Sequence, residues 1–107
     1  MRVAPVYFSG QTSSGADGTV LHPGDIPAQF HLAWRNLGEA LAEAGMTPAN
    51  VVRLNVYTAD VDAFMAAAEG LVSVFAAEKM EACCTLLGVA RLYDPAALIE
   101  LEATAVA

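Results

Sequence analysis

The chain is poor in positive charge. Five basic residues, Arg2, Arg35, Arg53, Lys79 and Arg91, stand against twelve acidic ones, a formal net charge of −7. They are scattered, whereas holding a nucleic-acid backbone takes clustered Lys and Arg to displace counterions. Such a surface on average repels phosphate, so no nucleic-acid partner is expected. Cysteine is scarcer still. The two present, Cys83 and Cys84, are adjacent, and neighbours in a strand point to opposite faces and do not easily pair. No CxxC or Cys/His spacing suggests a metal site, so no metal or other cofactor is expected. Free thiols fit a reducing cytoplasm. Long apolar runs are also missing. None approaches the ~20 residues needed to span a bilayer, and the start, Met1-Arg-Val-Ala-Pro, lacks the apolar core of a signal peptide. The expectation is a cytoplasmic protein with no membrane partner.

What the chain has is a high content of small apolar residues. Its 107 residues are 56% hydrophobic, enough to fill the core of one domain over 1–107. Much of that is alanine, which adds little burial area, so helix packing and contact between subunits are expected.

Val3–Phe8 reads as a strand that enters a loop rich in Ser, Gly and Pro between Gly10 and Gly24. From Ile26 to Gly45 the apolar residues Ile26, Phe30, Ala33, Leu37, Ala40, Leu41 and Ala44 recur at helical spacing. Asp25 stands at the N-cap, Pro27 in the first turn and Gly45 at the stop. Val51–Tyr57 alternates, with Val52, Leu54 and Val56 on one face and Arg53, Asn55 and Tyr57 on the other. Asp60 caps a second helix to about Glu78, whose stripe is Phe64, Met65, Ala68, Leu71, Val72 and Phe75. Two strand-like runs close the chain, Glu81–Leu92 and Ala97–Ala105, with a Tyr-Asp-Pro break between them.

The order β–α–β–α–β–β predicts a two-layer α+β domain, two helices packed on one face of a mixed β-sheet. In the last strand Ile99, Leu101, Ala103 and Ala105 share the core face. Glu100 and Glu102 share the other, roughly 7 Å apart at the Cα. That second face also carries Arg53, Asn55, Tyr57 and Thr104. It is too apolar for free solvation and too polar for a core, so a symmetric oligomer covering it is expected.

These residues resemble the RidA/YjgF family, also called the L-PSP endoribonuclease-like family. The matching stretches are Phe8-Ser-Gly-Gln11, Gly24-Asp-Ile26 with Gln29, Asn36-Leu37 and Leu41-Ala-Glu-Ala-Gly45. They continue with Val51-Val52, Val56-Tyr-Thr-Ala-Asp60, Phe64, Val89-Ala-Arg-Leu92 and Ile99-Glu-Leu-Glu-Ala103. No single motif is specific; their order and spacing over nearly the whole chain are. The resemblance implies a chorismate-mutase-like homotrimer with ligand clefts between subunits. It also implies hydrolysis of reactive enamines and imines, such as 2-aminoacrylate and its imine tautomer, to 2-keto acids and ammonia.

The departures are specific too. The arginine that holds the substrate carboxylate in the deaminase members falls on Cys84, and an asparagine of the second helix falls on Ala68. An extra first strand with a cleft-lining tyrosine has no counterpart here. The glutamate that positions water falls on Glu100, and a backbone cradle falls at Ser9-Gly10 and near Leu86. Glu100 is therefore the first candidate for catalysis, as a general base or water-orienting group; read without the resemblance it is a solvated or interface carboxylate. Cys84 is the second candidate, a nucleophile or a pocket wall, against the plain reading of a small buried hydrophobe. Strand parity is taken to turn Cys84, Leu86 and Gly88 toward the cleft, and Cys83, Thr85, Leu87 and Val89 toward the helices. Arg53 is a candidate carboxylate binder across a subunit boundary, and Glu102 is a rim charge or a partner for Arg53 or Arg91. His22 and His31 read as surface histidines, Trp34 and Tyr57 as packing residues. Together these give an enzyme of the imine or enamine hydrolase type, acting on an imine, enamine or related activated carbonyl compound other than 2-aminoacrylate because the arginine is gone. The alternative is a non-catalytic trimer that binds or senses a small ligand.

Overall fold

Alternate residues of the last strand are buried, and that strand sets the plane of the molecule. In the computed structural model, which describes residues 4–107, Ile99, Leu101, Ala103 and Ala105 are buried while Glu100, Glu102 and Thr104 are half-buried. This strand, β4 (Ile99–Ala105), lies between β1 (Val6–Gln11) and β2 (Val51–Thr58), antiparallel to both. β3 (Cys83–Gly88) runs parallel to β2 at the far edge, giving the order β1-β4-β2-β3. The first strand begins later than expected, and Val3 lies outside the described residues.

Two helices cover the buried face, α1 (Ile26–Glu43) and α2 (Val61–Ala77). Each begins at an aspartate. Asp25 accepts from the Ala28 N–H at 3.0 Å and Asp60 from the Ala63 N–H at 3.0 Å, satisfying donors that a helix start leaves unpaired. Gly45, at φ +74, takes the left-handed conformation just past α1, as expected of a glycine stop. Phe30, Ala33, Leu37 and Leu41 of α1 are fully buried. Phe30 meets Phe64 and Phe75 of α2 at ring-centroid distances of 6.1 and 6.0 Å, and Trp34 meets Phe75 at 5.1 Å. Aromatic pairs at such distances add about 0.5–1.5 kcal/mol each beyond area burial.

Two apolar patterns differ from expectation. Between Val51↔Ala105 and Arg53↔Thr104 the ladder slips by one residue. The extra residue is Val52, 46% exposed, and Val51 takes the inward position beside Leu54 and Val56. Such a bulge comes from pairing with β4 and leaves no mark in the alternation of β2 itself. The stripe of α2 also splits. Phe64 and Leu71 are buried, while Met65 and Val72 are exposed at 58% and 40%. One helix neighbour and one sheet cover a narrower face than the apolar stripe offers.

Two amides on α1 fix the strand ends around the polar face. The buried Gln29 side chain donates to the Ala96 and His22 carbonyls at 2.8 and 3.2 Å and accepts from the Leu98 N–H at 2.8 Å. It ties the turn that feeds β4 to the helix. The Asn36 amide donates to the Thr12 and Ser14 carbonyls at 2.9 and 3.0 Å, tying down the chain as it leaves β1. No helix among the described residues is long and apolar enough to cross a membrane.

Candidate functional site

The second face of the sheet follows from the register. Arg53 pairs with Thr104, Asn55 with Glu102 and Tyr57 with Glu100, and paired residues point to one face. On this face Glu102 is held hard. Its Oε1 accepts from the Asn55 side-chain amide at 3.1 Å and from the Tyr57 hydroxyl at 2.8 Å. The expected pairing of Glu102 with Arg53 or Arg91 does not form. Arg91 donates to the Leu92 and Tyr93 carbonyls, and the only ion pair among the described residues is Arg35–Glu39. Tyr57 reaches Glu102 because its ring crosses diagonally from its own rung to the next. Bonding to the Glu102 carboxylate, then burial, pushes the Tyr57 phenol above its ordinary value.

Glu100 is placed differently. Its carboxyl leans over Gly10, where a Cβ would lie 2.7 Å from Oε2. Gly10 sits in a slip of the β1–β4 ladder, since Phe8 pairs with Ala103 but Gln11 with Leu101. The extra residue in β1 brings bare backbone under the carboxyl, and only glycine leaves room for it. Ser9 stands beside it, exposed, its carbonyl accepting from the Gln11 side chain at 3.1 Å. None of the hydrogen bonds formed among the described residues ends on the Glu100 carboxyl, although it is half-buried. Burial first, and the charge of Glu102 second, push its pKa above the usual carboxylate value. The arrangement leaves one carboxyl with raised proton affinity and free oxygens, next to a second carboxylate already occupied. A shallow groove lined by Tyr7, Ser9, Asn55, Glu102 and Thr104 runs alongside. A larger hollow between the 14–21 loop and α1, lined by Ser14, Leu21, Arg35, Asn36 and Glu39, takes nothing from this face.

The parity expected of the cysteines is reversed. Cys84 pairs with Leu54 and Leu86 with Val56, both buried core residues, and Leu86 itself packs against that core. Cys84, Leu86 and Gly88 therefore lie on the helix side, where a Cβ on Gly88 would meet Val61 of α2. Cys83, Thr85 and Leu87 stand with Arg53, Asn55 and Tyr57 on the polar side. Parity in a short run of small residues is ambiguous, and a shift of one residue exchanges the faces. Cys84 is exposed at the free edge of the sheet, yet burial against its neighbours pushes its thiol pKa up. Within one protomer Cys84 and Glu100 are on opposite faces and share no pocket. Arg53 is on the Glu100 face, exposed, two rungs from Tyr57.

Sequence reasoning missed three contributors: Tyr57 as the clamp on Glu102, and Gln29 and Asn36 as the fasteners of β4 and β1. Among the described residues no group of three or more His, Cys, Asp or Glu could hold a metal ion.

The family model described as Endoribonuclease L-PSP matches residues 3–107. A rat (Rattus norvegicus) protein named 2-iminobutanoate/2-iminopropanoate deaminase is 37% identical over 59 residues, 55% of this chain and 43% of its own length. The match thus spans less than half of that curated relative. Among solved structures, YyfB from Yersinia pestis, a protein of unknown function of the conserved Rid protein family, is 36% identical with a TM-score of 0.87 over 96% of this chain and 78% of its own. E. coli TdcF, solved with bound serine, is 25% identical with a TM-score of 0.83, covering 96% of this chain and 80% of its own. The family-model match over residues 3–107 and the two helices over a mixed four-stranded sheet agree on one conclusion: the chain belongs to the Endoribonuclease L-PSP family, that of the Rid and YjgF proteins.

Proposed function

We propose that this protein hydrolyses a small imine, enamine or similarly activated carbonyl compound in clefts between copies of the chain, with Glu100 carrying the proton. The observation that supports this most is the Glu100 carboxyl itself, half-buried over Gly10, free of hydrogen-bond partners among the described residues and raised in pKa. A carboxyl moved toward neutral pH can both give and take a proton. It gives its proton to the imine nitrogen and, as carboxylate, takes one from the water whose oxygen bonds to the carbon. The carbinolamine then collapses. Glu100 protonates the nitrogen, the C–N bond breaks, ammonia leaves, and the hydroxyl proton returns to Glu100 as the carbonyl forms. The deaminase name of the rat relative and the serine bound to the E. coli relative point the same way.

The cleft needs a neighbour. Cys84 and Glu100 occupy opposite faces of one sheet, so only a second copy can bring the β3 edge up to the Glu100 face. The half-buried polar face, the open edge of β3 and the exposed Val61, Met65 and Val72 of α2 are surfaces that a homotrimer would cover. In that cleft Cys84 serves as a neutral wall, because a thiol raised in pKa is a poor nucleophile. Ser9, Gly10 and the edge backbone at Leu86 offer an approachable main chain, and Arg53 is a cation at the rim. Two unpaired thiols suit a reducing compartment such as the cytoplasm.

With cysteine in place of the anchoring arginine, an anionic imine loses a bidentate contact worth on the order of 2–5 kcal/mol. That is roughly 30-fold or more in catalytic efficiency. The substrate we assign is therefore uncharged at that end. Ammonia release from 2-iminopropanoate and from its uncharged amide tests this. The amide should turn over faster, Glu100→Gln should lower its rate by about a hundredfold or more, and Cys84→Arg should shift preference toward the acid. Full activity in Glu100→Gln would overturn the reading, and ligand binding without any turnover would favour a binding module.

A further inference from the structure

We infer that Glu102, pinned by Tyr57 and Asn55, is a positioning residue that keeps the proton on Glu100 between turnovers. The inference deepens the proposed function and rests on Glu100 being the proton carrier.

The geometry carries it. Glu100 and Glu102 stand two residues apart on one face of β4, and their partners on β2 are Tyr57 and Asn55. Both hydroxyl and amide go to the same oxygen of Glu102 at 2.8 and 3.1 Å, and none goes to Glu100. Donated hydrogen bonds stabilise an ionised carboxylate. Glu102 is thus the member of the pair that holds the negative charge, fixed in place by two donors from the neighbouring strand. A second negative charge beside it is disfavoured, so Glu100 is the member that keeps a proton. Tyr57, paired with Glu100 across the ladder, gives its hydroxyl to Glu102 and stabilises the charge there.

The other groups facing Glu100 do not cancel this. β1 contributes Ser9 and Gly10, neither charged, with the Tyr7 phenol farther along opposite Thr104. β2 contributes Tyr57 and, two rungs away, Arg53, which makes no ion pair with Glu100 or Glu102. Cys83, opposite Arg53 on the edge strand, completes the row. Burial first, and then the charge of Glu102, the nearest along its own strand, raise the proton affinity of Glu100.

The chemical consequence is an order of events. A Glu100 that starts protonated acts first as an acid toward the substrate nitrogen and only then as a base toward water. A site that started as carboxylate would have to activate water against an unprotonated imine.

Glu102→Gln separates charge from structure. The glutamine keeps an oxygen that accepts from Tyr57 and Asn55 and removes only the charge. In carboxyl 13C NMR titrations of the full-length protein, the Glu100 midpoint should move to lower pH in Glu102→Gln. The pH profile of kcat/KM should move in the same direction. Tyr57→Phe, which removes one donor to Glu102, should also lower the Glu100 midpoint, and it keeps the test available if the first variant does not fold. An unmoved Glu100 midpoint in either folded variant would overturn the inference. A midpoint that moves without the rate profile would leave the Glu102–Glu100 coupling standing and refute Glu100 as the proton carrier.

Discussion

Glu100 and Gly10 form the contact on which the functional reading turns. A methyl group at position 10 would sit 2.7 Å from Oε2 of Glu100, a distance no carbon–oxygen contact tolerates. The carboxyl would have to swing away from the bulge. Gly10 is not in the left-handed region, so its backbone accepts alanine without strain. Gly10→Ala should therefore leave thermal stability nearly unchanged, within about 0.5 kcal/mol as for exposed positions. If Glu100 is the proton carrier proposed above, turnover should fall by roughly tenfold or more, because the displaced carboxyl loses its alignment with substrate. Wild-type rates in Gly10→Ala would show that the carboxyl works elsewhere than over the bulge.

At the scale of elements, what could be read from the sequence was what is local. Both helices begin at the expected aspartates, because a cap is decided by three or four consecutive residues. The face of β4 was legible because its glutamates alternate with Ile99, Leu101 and Ala103. The face of β3 was not. Cys83, Cys84 and Thr85 are small enough for either side, and the register with Leu54 and Val56 decides the matter through pairing with a distant strand. The slips at Val52 and at Ser9-Gly10 were hidden for the same reason: each is a property of two strands together. Gln29 and Asn36 matched the family pattern, yet their bonds to the 94–98 turn and to the 12–14 segment appear only once α1 lies on the sheet. Gln29→Leu should strip the part-buried Leu98 N–H and the Ala96 and His22 carbonyls of their partner. Leaving such groups unsatisfied costs about 1–3 kcal/mol for each fully buried one. Urea unfolding should show a loss of that order or more, with unchanged m-value. A neutral outcome would mean that water replaces the amide and that the entry to β4 is not held by α1.

At the scale of the whole molecule, one sheet divides two chemistries. The helix side holds the core, and the other side holds Glu100, Glu102, Asn55 and Tyr57 half-buried without any protein layer over them. A trimer of the 11.1 kDa chain would cover this face and place the Cys84 edge of one copy against the Glu100 face of the next. The most direct test is subunit complementation. Glu100→Gln removes the proposed proton carrier, and Cys84→Trp fills the proposed opposing wall. Each variant alone, with light scattering confirming about three chains per particle, should be nearly inactive in ammonia release. When equal amounts are dissociated, mixed and reassembled, about one cleft in four should combine an intact Glu100 face with an intact Cys84 edge. The account predicts recovery of roughly a quarter of wild-type activity per cleft on that count. A mixture no more active than the separate variants would contradict a site built between copies.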